Sequence, residues 1–250
     1  MKGVVLAGGT GSRLFPLTRV TNKHLLPVGR YPMIYHPLLR LRRAGITDIV
    51  LVTSPEHMGD VVNLLGSGSR LGVDLTYRVQ DEPGGIAQAL GLCETFVGDD
   101  PFVVALGDNI LGEDLGDHVS AFELQMAAGG GARVLLKEVP DPERYGVPEI
   151  DGDRIVRVIE KPSVPPSSFS VIGIYFYEPG VFEYIRTLSP SERGELEISD
   201  VSNRYAEAGT LTFGVLEKWW GDAGTFEGLE EANRLARDLM YEELPGVPDA

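Results

Sequence analysis

Cysteine is nearly absent from this chain: Cys93 is the one thiol in 250 residues. A single thiol cannot close an internal disulfide or build a cysteine-rich metal centre, and a small apolar filler is the reading left for it. No stretch of about 18 consecutive apolar residues occurs, so no transmembrane helix is expected. Met1-Lys2 leads straight into an apolar run, with no secretory leader pattern. Basic side chains are scarce, 22 Lys and Arg against 37 Asp and Glu, for a net charge of −15. That balance argues against nucleic acid or a membrane surface as partner. The chain therefore reads as soluble and cytoplasmic. Any phosphate site in it must gather its cations locally and add a metal. No Ser/His/Asp or Cys/His arrangement of the kind used in nucleophilic catalysis is present.

Two familiar phosphate-binding loops are also missing. Leu6-Ala-Gly-Gly-Thr-Gly-Ser-Arg13 is glycine-rich, but no Lys-Ser/Thr pair follows, so it is not a Walker loop. Position 14 is Leu14 where a dinucleotide fingerprint needs glycine, and the second strand ends in Val52-Thr53-Ser54 with no acid at its tip. A nicotinamide-dependent dehydrogenase is accordingly disfavoured. What is there suits a phosphate all the same. Gly8, Gly9 and Gly11 let the backbone turn tightly, successive N–H groups form an anion-binding concavity, and Arg13 stands at its far end. A plain tight turn is the bland alternative.

The first half alternates short apolar strands (Val4 to Ala7, Ile49 to Thr53, Leu75 to Val79, Phe102 to Leu106) with helical stretches (about 34–44, 60–65, 86–96 and 115–127). Such alternation predicts right-handed crossovers and a parallel sheet. The second half is mixed. Strand patterns cover Arg133 to Glu138, Arg154 to Glu160, Ser170 to Tyr177 and Leu211 to Leu216; helices are expected near 179–187, 196–208 and 225–240. Ser163 to Ser168 reads as a loop, Gly129 to Gly131 as a flexible joint, and Leu244 to Ala250 as a frayed tail. The expectation is an α/β, Rossmann-like fold with a mixed, mainly parallel central sheet flanked by helices. It forms one domain, with residues 1–125 binding nucleotide and 126–250 completing the site.

Ligands of open α/β sheets bind beyond the carboxyl ends of the strands. Several polar segments are predicted there: the glycine loop, Thr21 to Val28 with Lys23, Gln80 to Ala89 with Gly85, Leu106-Gly-Asp108-Asn109, Glu160-Lys161-Pro162, and Trp219 to Thr225 with Asp222. Taken singly, each charge also suits a solvated surface or a turn. Together they gather at one end of one sheet.

These segments resemble, in order, the motifs of the sugar-1-phosphate nucleotidyltransferases, most closely those that couple glucose 1-phosphate to a thymidine nucleotide. The resemblance rests on Leu6 to Leu14, Lys23 to Val28, Tyr31 to Leu38, Gly84 to Ala89, Leu106 to Asn109, Glu160 to Pro162, Arg193 to Asp200 and Trp220 to Thr225. It implies a nucleotide-diphospho-sugar transferase fold and the reaction of dTTP with α-D-glucose 1-phosphate to give dTDP-glucose and pyrophosphate. It further implies that Leu6, Gly8, Gly9, Gly11, His24, Gln80 and Gly85 bind nucleotide. Arg13 and Lys23 would neutralise phosphate, and Asp108 and Asp222 would hold Mg²⁺, a hard ion suited to one or two carboxylates plus phosphate oxygens. Lys161 with Arg193 would hold the sugar phosphate, and Asn109, Tyr145, Gly146, Glu160, Val171 and Glu195 the sugar.

The chain departs from the longer members in three ways. His24 replaces a glutamine that reads thymine, which leaves UTP as an alternative substrate. Asp222-Ala-Gly-Thr replaces Asp-Thr-Gly-Thr. The sequence ends at Ala250, which leaves family-like feedback control and homo-oligomer assembly open. Other sugar 1-phosphates, or a non-catalytic sensor on the same fold, are the remaining alternatives.

Overall fold

The computed structural model describes residues 1–241; the expected frayed tail from Leu244 lies outside the described residues. Its centre is one nine-stranded sheet. Strands β1 (Lys2–Ala7), β2 (Asp48–Thr53), β3 (Asp74–Val79) and β4 (Phe102–Leu106) are mutually parallel, in the order β4-β1-β2-β3. A short strand β5 (Asn109–Leu111) leaves the sheet after β4. Then come β6 (Ala132–Glu138), β7 (Gly146–Asp151), β8 (Arg154–Glu160) and β9 (Phe169–Tyr177). Strand β9 lies antiparallel to β4 and joins the two halves; β10 (Leu211–Val215) runs parallel to β6. Strand β11 (Trp220–Asp222) pairs antiparallel with β5 as a separate ribbon.

Strand β1 shows why the parallel half reads as unbroken apolar sequence. Val4 and Leu6 enter the core on one face, Val5 and Ala7 the core on the other. A strand sandwiched between two helical layers has no polar side. The layers are built by α1 (Tyr35–Arg43), α2 (Met58–Leu65), α3 (Ile86–Gly91), α4 (Glu94–Val97), α5 (Gly116–Ala127), α6 (Val181–Thr187), α7 (Ile198–Glu207) and α8 (Phe226–Leu235). Pro37 sits in the first turn of α1, where its missing N–H costs nothing. Among the described residues no helix is long and apolar enough to cross a membrane.

Three expectations need correction. The helix expected over 86–96 is two short helices, α3 and α4, because the chain turns through Leu92-Cys93. Strand β7 was not anticipated; Pro148 and the charged Glu149 obscured its alternation, yet it pairs with β8 across the Asp151 to Asp153 turn. The Gly129 to Gly131 run is pinned rather than loose: Gly130 N–H reaches the Gln125 carbonyl (3.1 Å) and Gly131 N–H the Glu178 carboxylate (3.0 Å).

Candidate active site

The carboxyl ends of β1, β3 and β4 open into a cleft of about 350 Å³. Strand β1 ends flush with β4, Leu6 opposite Leu106, so Gly8 and Asp108 leave the sheet side by side. Gly8 lies against Gln80: a Cβ there would stand 2.6 Å from Gln80 Oε1, and that amide end would have to move. Gly9, at φ +92°, is exposed with nothing near its missing Cβ. Gly11, at φ +61°, lies against Thr18, whose hydroxyl donates to the Gly11 carbonyl, and it shapes the turn that delivers Arg13.

Asp108 and Asp222 are brought together by the β5–β11 ribbon, in which Asn109 lies opposite Asp222. Lys23 Nζ lies 2.5 Å from Asp108 Oδ2, both side chains largely buried. Burial opposes the charge of Asp108, but Lys23 beside it and the amide of Asn109 hold its carboxyl well below the usual range. Asp222 goes the other way: burial, then the like charge of Asp108, push it up, and the Gly224 N–H at 3.0 Å only partly offsets this. Gly224 marks where these groups converge. A Cβ on it would lie 3.0 Å from Asp222 Oδ1, 3.1 Å from Arg13 Nη2 and 3.3 Å from Asp108 Oδ2. Two carboxylates and a guanidinium thus face one small gap.

His24 lies beneath this group, 1% exposed, with its Nδ1 2.7 Å from Asn22 Oδ1. Burial, then the Lys23 charge, push its imidazole down to about 3, so it is neutral at physiological pH. Gln80 is 7% exposed and donates to Gln88 Oε1 at 2.5 Å. The backbone at Gly85 is fastened to the loop before α7: Ala87 N–H meets the Leu196 carbonyl and Leu196 N–H the Gly84 carbonyl.

The opposite wall comes from β7, β8 and β9. Gly146 is paired with both Glu160 and Val171. Lys161 is the one non-glycine with positive φ (+44°) among the described residues, held by its N–H on the Tyr145 carbonyl at 2.9 Å. A lysine in left-handed backbone is strained, and such strain concentrates at ligand sites. Arg193 reaches Glu195 at 2.9 Å and both Glu160 and Glu197 at 3.5 Å.

The cleft also holds residues the sequence reading passed over: Arg144, Gly173, Tyr175, Glu197 and Trp220. Gly173 carried a signal, being an isolated glycine in an apolar strand; β9 shifts register there, between Val171 and Tyr175. Trp220 and Glu197 belonged to motifs already recognised. Arg144 and Tyr175 carried no signal in sequence; the Arg144 guanidinium covers the neighbouring Tyr145 ring at 5.5 Å, and folding sets that ring edge-on to Trp220.

Residues 2–238 match the sequence model of the nucleotidyl transferases. The chain belongs to the nucleotidyl transferase family. Among relatives in this family, a low-salt glycan biosynthesis nucleotidyltransferase of Haloferax volcanii is 44% identical over 94% of this chain, which spans 66% of that protein's length. The glucose-1-phosphate thymidylyltransferase of Neisseria meningitidis is 45% identical, with 93% of this chain and 81% of its own covered. A Bacillus anthracis protein, described as a candidate glucose-1-phosphate thymidylyltransferase and crystallised with a sucrose, is 58% identical. It superimposes with a TM-score of 0.92 over 96% of this chain and 97% of its own. The mixed, mainly parallel sheet flanked by helices is therefore the nucleotidyl transferase architecture.

Proposed function

We propose that this cleft joins dTTP to α-D-glucose 1-phosphate, giving dTDP-glucose and pyrophosphate. The observation that carries this reading is the convergence of Arg13, Asp108 and Asp222 on the gap at Gly224, with Lys23 paired to Asp108, beside the glycine loop. The named thymidylyltransferases among the relatives supply the substrates.

The charges along the cleft favour a metal. Arg13, Lys23, Arg144, Lys161 and Arg193 are already matched by five carboxylates, those of Asp108, Glu160, Glu195, Glu197 and Asp222. A triphosphate and a sugar phosphate therefore arrive with their charge largely unanswered. The raised Asp222 carboxyl beside Asp108 marks a place where a cation would relieve repulsion. Among the described residues, no group of three or more His, Cys, Asp or Glu could hold a metal ion. Two carboxylates completed by phosphate oxygens suit Mg²⁺, which seldom takes an all-protein cage. Asp108 and Asp222 are the residues that would hold it, and when bound it offsets charge on the phosphates.

The rest is positioning and charge stabilisation. Backbone N–H groups at Gly8 and Gly9 receive the nucleotide phosphates. Gln80 and Gly85, with Leu6 as apolar contact, face the base and deoxyribose. Lys161 and Arg193 hold the sugar phosphate so that its oxygen attacks the α-phosphorus in line. A new P–O bond forms as the bond to pyrophosphate breaks, and Arg13 and Lys23 take up the charge on the leaving group. No protein nucleophile is needed. On this reading residues 1–125 mainly serve the nucleotide and 126–250 the sugar phosphate, in one cytoplasmic domain that can self-associate.

The test is a pyrophosphate-release panel of dTTP, UTP, ATP, CTP and GTP against several sugar 1-phosphates, with and without Mg²⁺. Fastest release is expected for dTTP with glucose 1-phosphate, lost in EDTA. Preference for UTP or another sugar would overturn the substrate assignment, and no release with any pair would overturn the enzyme.

A further inference from the structure

Strand β8 is an edge of the central sheet, paired with β7 on one side. An edge strand leaves a row of N–H and C=O groups to be satisfied. Ile155 and Val158 are three residues apart, yet both are buried, each 3% exposed; a regular strand would point one of them outward. A bulge reconciles them. The register with β7 shifts between Ile155 and Arg157, and Val156 is exposed as the extra residue. Beyond the bulge, Val158 lies opposite Pro148, which has no N–H. A side chain of α7 takes up the Val158 backbone instead. Val158 N–H donates to Asn203 Oδ1 at 2.7 Å, and Asn203 Nδ2 donates to the Val158 carbonyl at 2.9 Å. An amide offers an acceptor and a donor side by side, so Asn203 imitates a neighbouring strand at this one residue. The paired bonds also fix which end of the amide faces which group.

We infer that Asn203 is a positioning residue for the grip on the sugar phosphate. The inference rests on the function proposed above. Asn203 pins β8 three residues before Lys161 to the helix whose leading loop carries Arg193, and so sets these two cations relative to each other. The cations are already neighbours across Glu160, which Arg193 reaches at 3.5 Å and Lys161 at 3.6 Å. The loop before α7 is itself fastened to the Gly84 carbonyl through the Leu196 N–H at 2.8 Å, so Asn203 anchors β8 to a fixed body. Lys161 needs that anchor, because its left-handed backbone persists only where the surroundings impose it. If β8 slipped by one residue past the bulge, Val158 would turn outward and Lys161 would leave its place on the Tyr145 carbonyl.

Steady-state kinetics of wild type, Asn203→Leu and Asn203→Asp test it, with every protein assayed well below its melting temperature. Asn203→Leu removes both bonds; Asn203→Asp keeps the acceptor for the Val158 N–H and loses the donor to the carbonyl. KM for glucose 1-phosphate should rise about tenfold or more in Asn203→Leu and by less in Asn203→Asp, while KM for dTTP stays within about twofold in both. An unchanged KM for glucose 1-phosphate in Asn203→Leu, or both KM values rising together, would overturn the inference and leave Asn203 a purely structural residue. Should Asn203→Leu fail to fold, Asn203→Asp decides by the same split. If the wild-type protein releases no pyrophosphate, the functional reading fails. Isothermal titration with glucose 1-phosphate then decides the positioning role: about tenfold weaker binding by the variant supports it, and equal binding, or none by either protein, overturns it.

Discussion

Replacing Lys23 with methionine removes a charge from a largely buried pair while keeping all but the last atom of an unbranched side chain. At 2.5 Å and an effective dielectric of about 20, the direct attraction between Lys23 and Asp108 is about 7 kcal/mol. Much of that offsets the loss of hydration of both groups, and breaking a buried pair by removing one partner costs about 3–5 kcal/mol. Both side chains keep a little solvent contact, 13% for Lys23 and 12% for Asp108, so the lower end, about 3 kcal/mol, applies. For a chain of this size that is a fall in melting temperature of about 6–12 °C. Scanning fluorimetry of wild type and Lys23→Met in EDTA at pH 7.5 measures it. His24 is neutral at that pH and supplies no replacement charge. Adding Mg²⁺ should recover part of the loss in the variant, because the ion answers the abandoned carboxylate; pyrophosphate release should stay far below wild type. A melting temperature within about 1 °C of wild type in EDTA would refute the reasoning, since it would mean that Asp108 does not need Lys23 to remain charged where it is.

Asp222→Asn should do the opposite to stability: burial and Asp108 disfavour its charge, so the variant should melt higher in EDTA while turnover collapses; lower melting would contradict that environment. Lys161→Gly should relieve left-handed strain worth about 1–2 kcal/mol and raise the melting temperature. Its KM for glucose 1-phosphate should rise about tenfold or more with KM for dTTP unchanged, and steady-state kinetics read the split. His36 is buried between Tyr241 Oη and the Val28 carbonyl, and burial pushes it down to about 4 from 6.5. The unfolded chain therefore takes up this proton first. About 3 kcal/mol of stability is lost between pH 6.5 and about 4. Denaturant melts across that range should be less steep in pH for His36→Gln by about one proton; an identical slope would remove His36 as the cause.

Much of the architecture could be read from pattern. The parallel half announces itself because strands buried on both faces must be apolar throughout, as Val4 to Ala7 and Val103 to Ala105 are. The glycine loop, Lys23, Asp108, Lys161 and Asp222 stood out because loops at strand ends carried polar residues without a structural need for them. The edges were harder. Strand β7 contains Pro148 and Glu149 and forms only because β8 folds back on it. The expected helix over 86–96 breaks in two although its residues suit one.

Local chemistry along the chain settled which segments would be strands, helices and phosphate-handling turns, since alternation, glycine content and charge act over a few residues. It could not settle what each polar group would spend its hydrogen bonds on. Gly11 gives its carbonyl to the Thr18 hydroxyl. His24 lies under Lys23 with its ring engaged by Asn22, and Asn109 gives its oxygen to Gly173 and Trp220, 64 and 111 residues away. The opposite pKa shifts of Asp108 and Asp222 also exist only because the β5–β11 ribbon brings two distant loops together. Burial and long-range pairing are properties of the packed molecule, and they decide which of two chemically identical carboxylates is pushed down and which is pushed up.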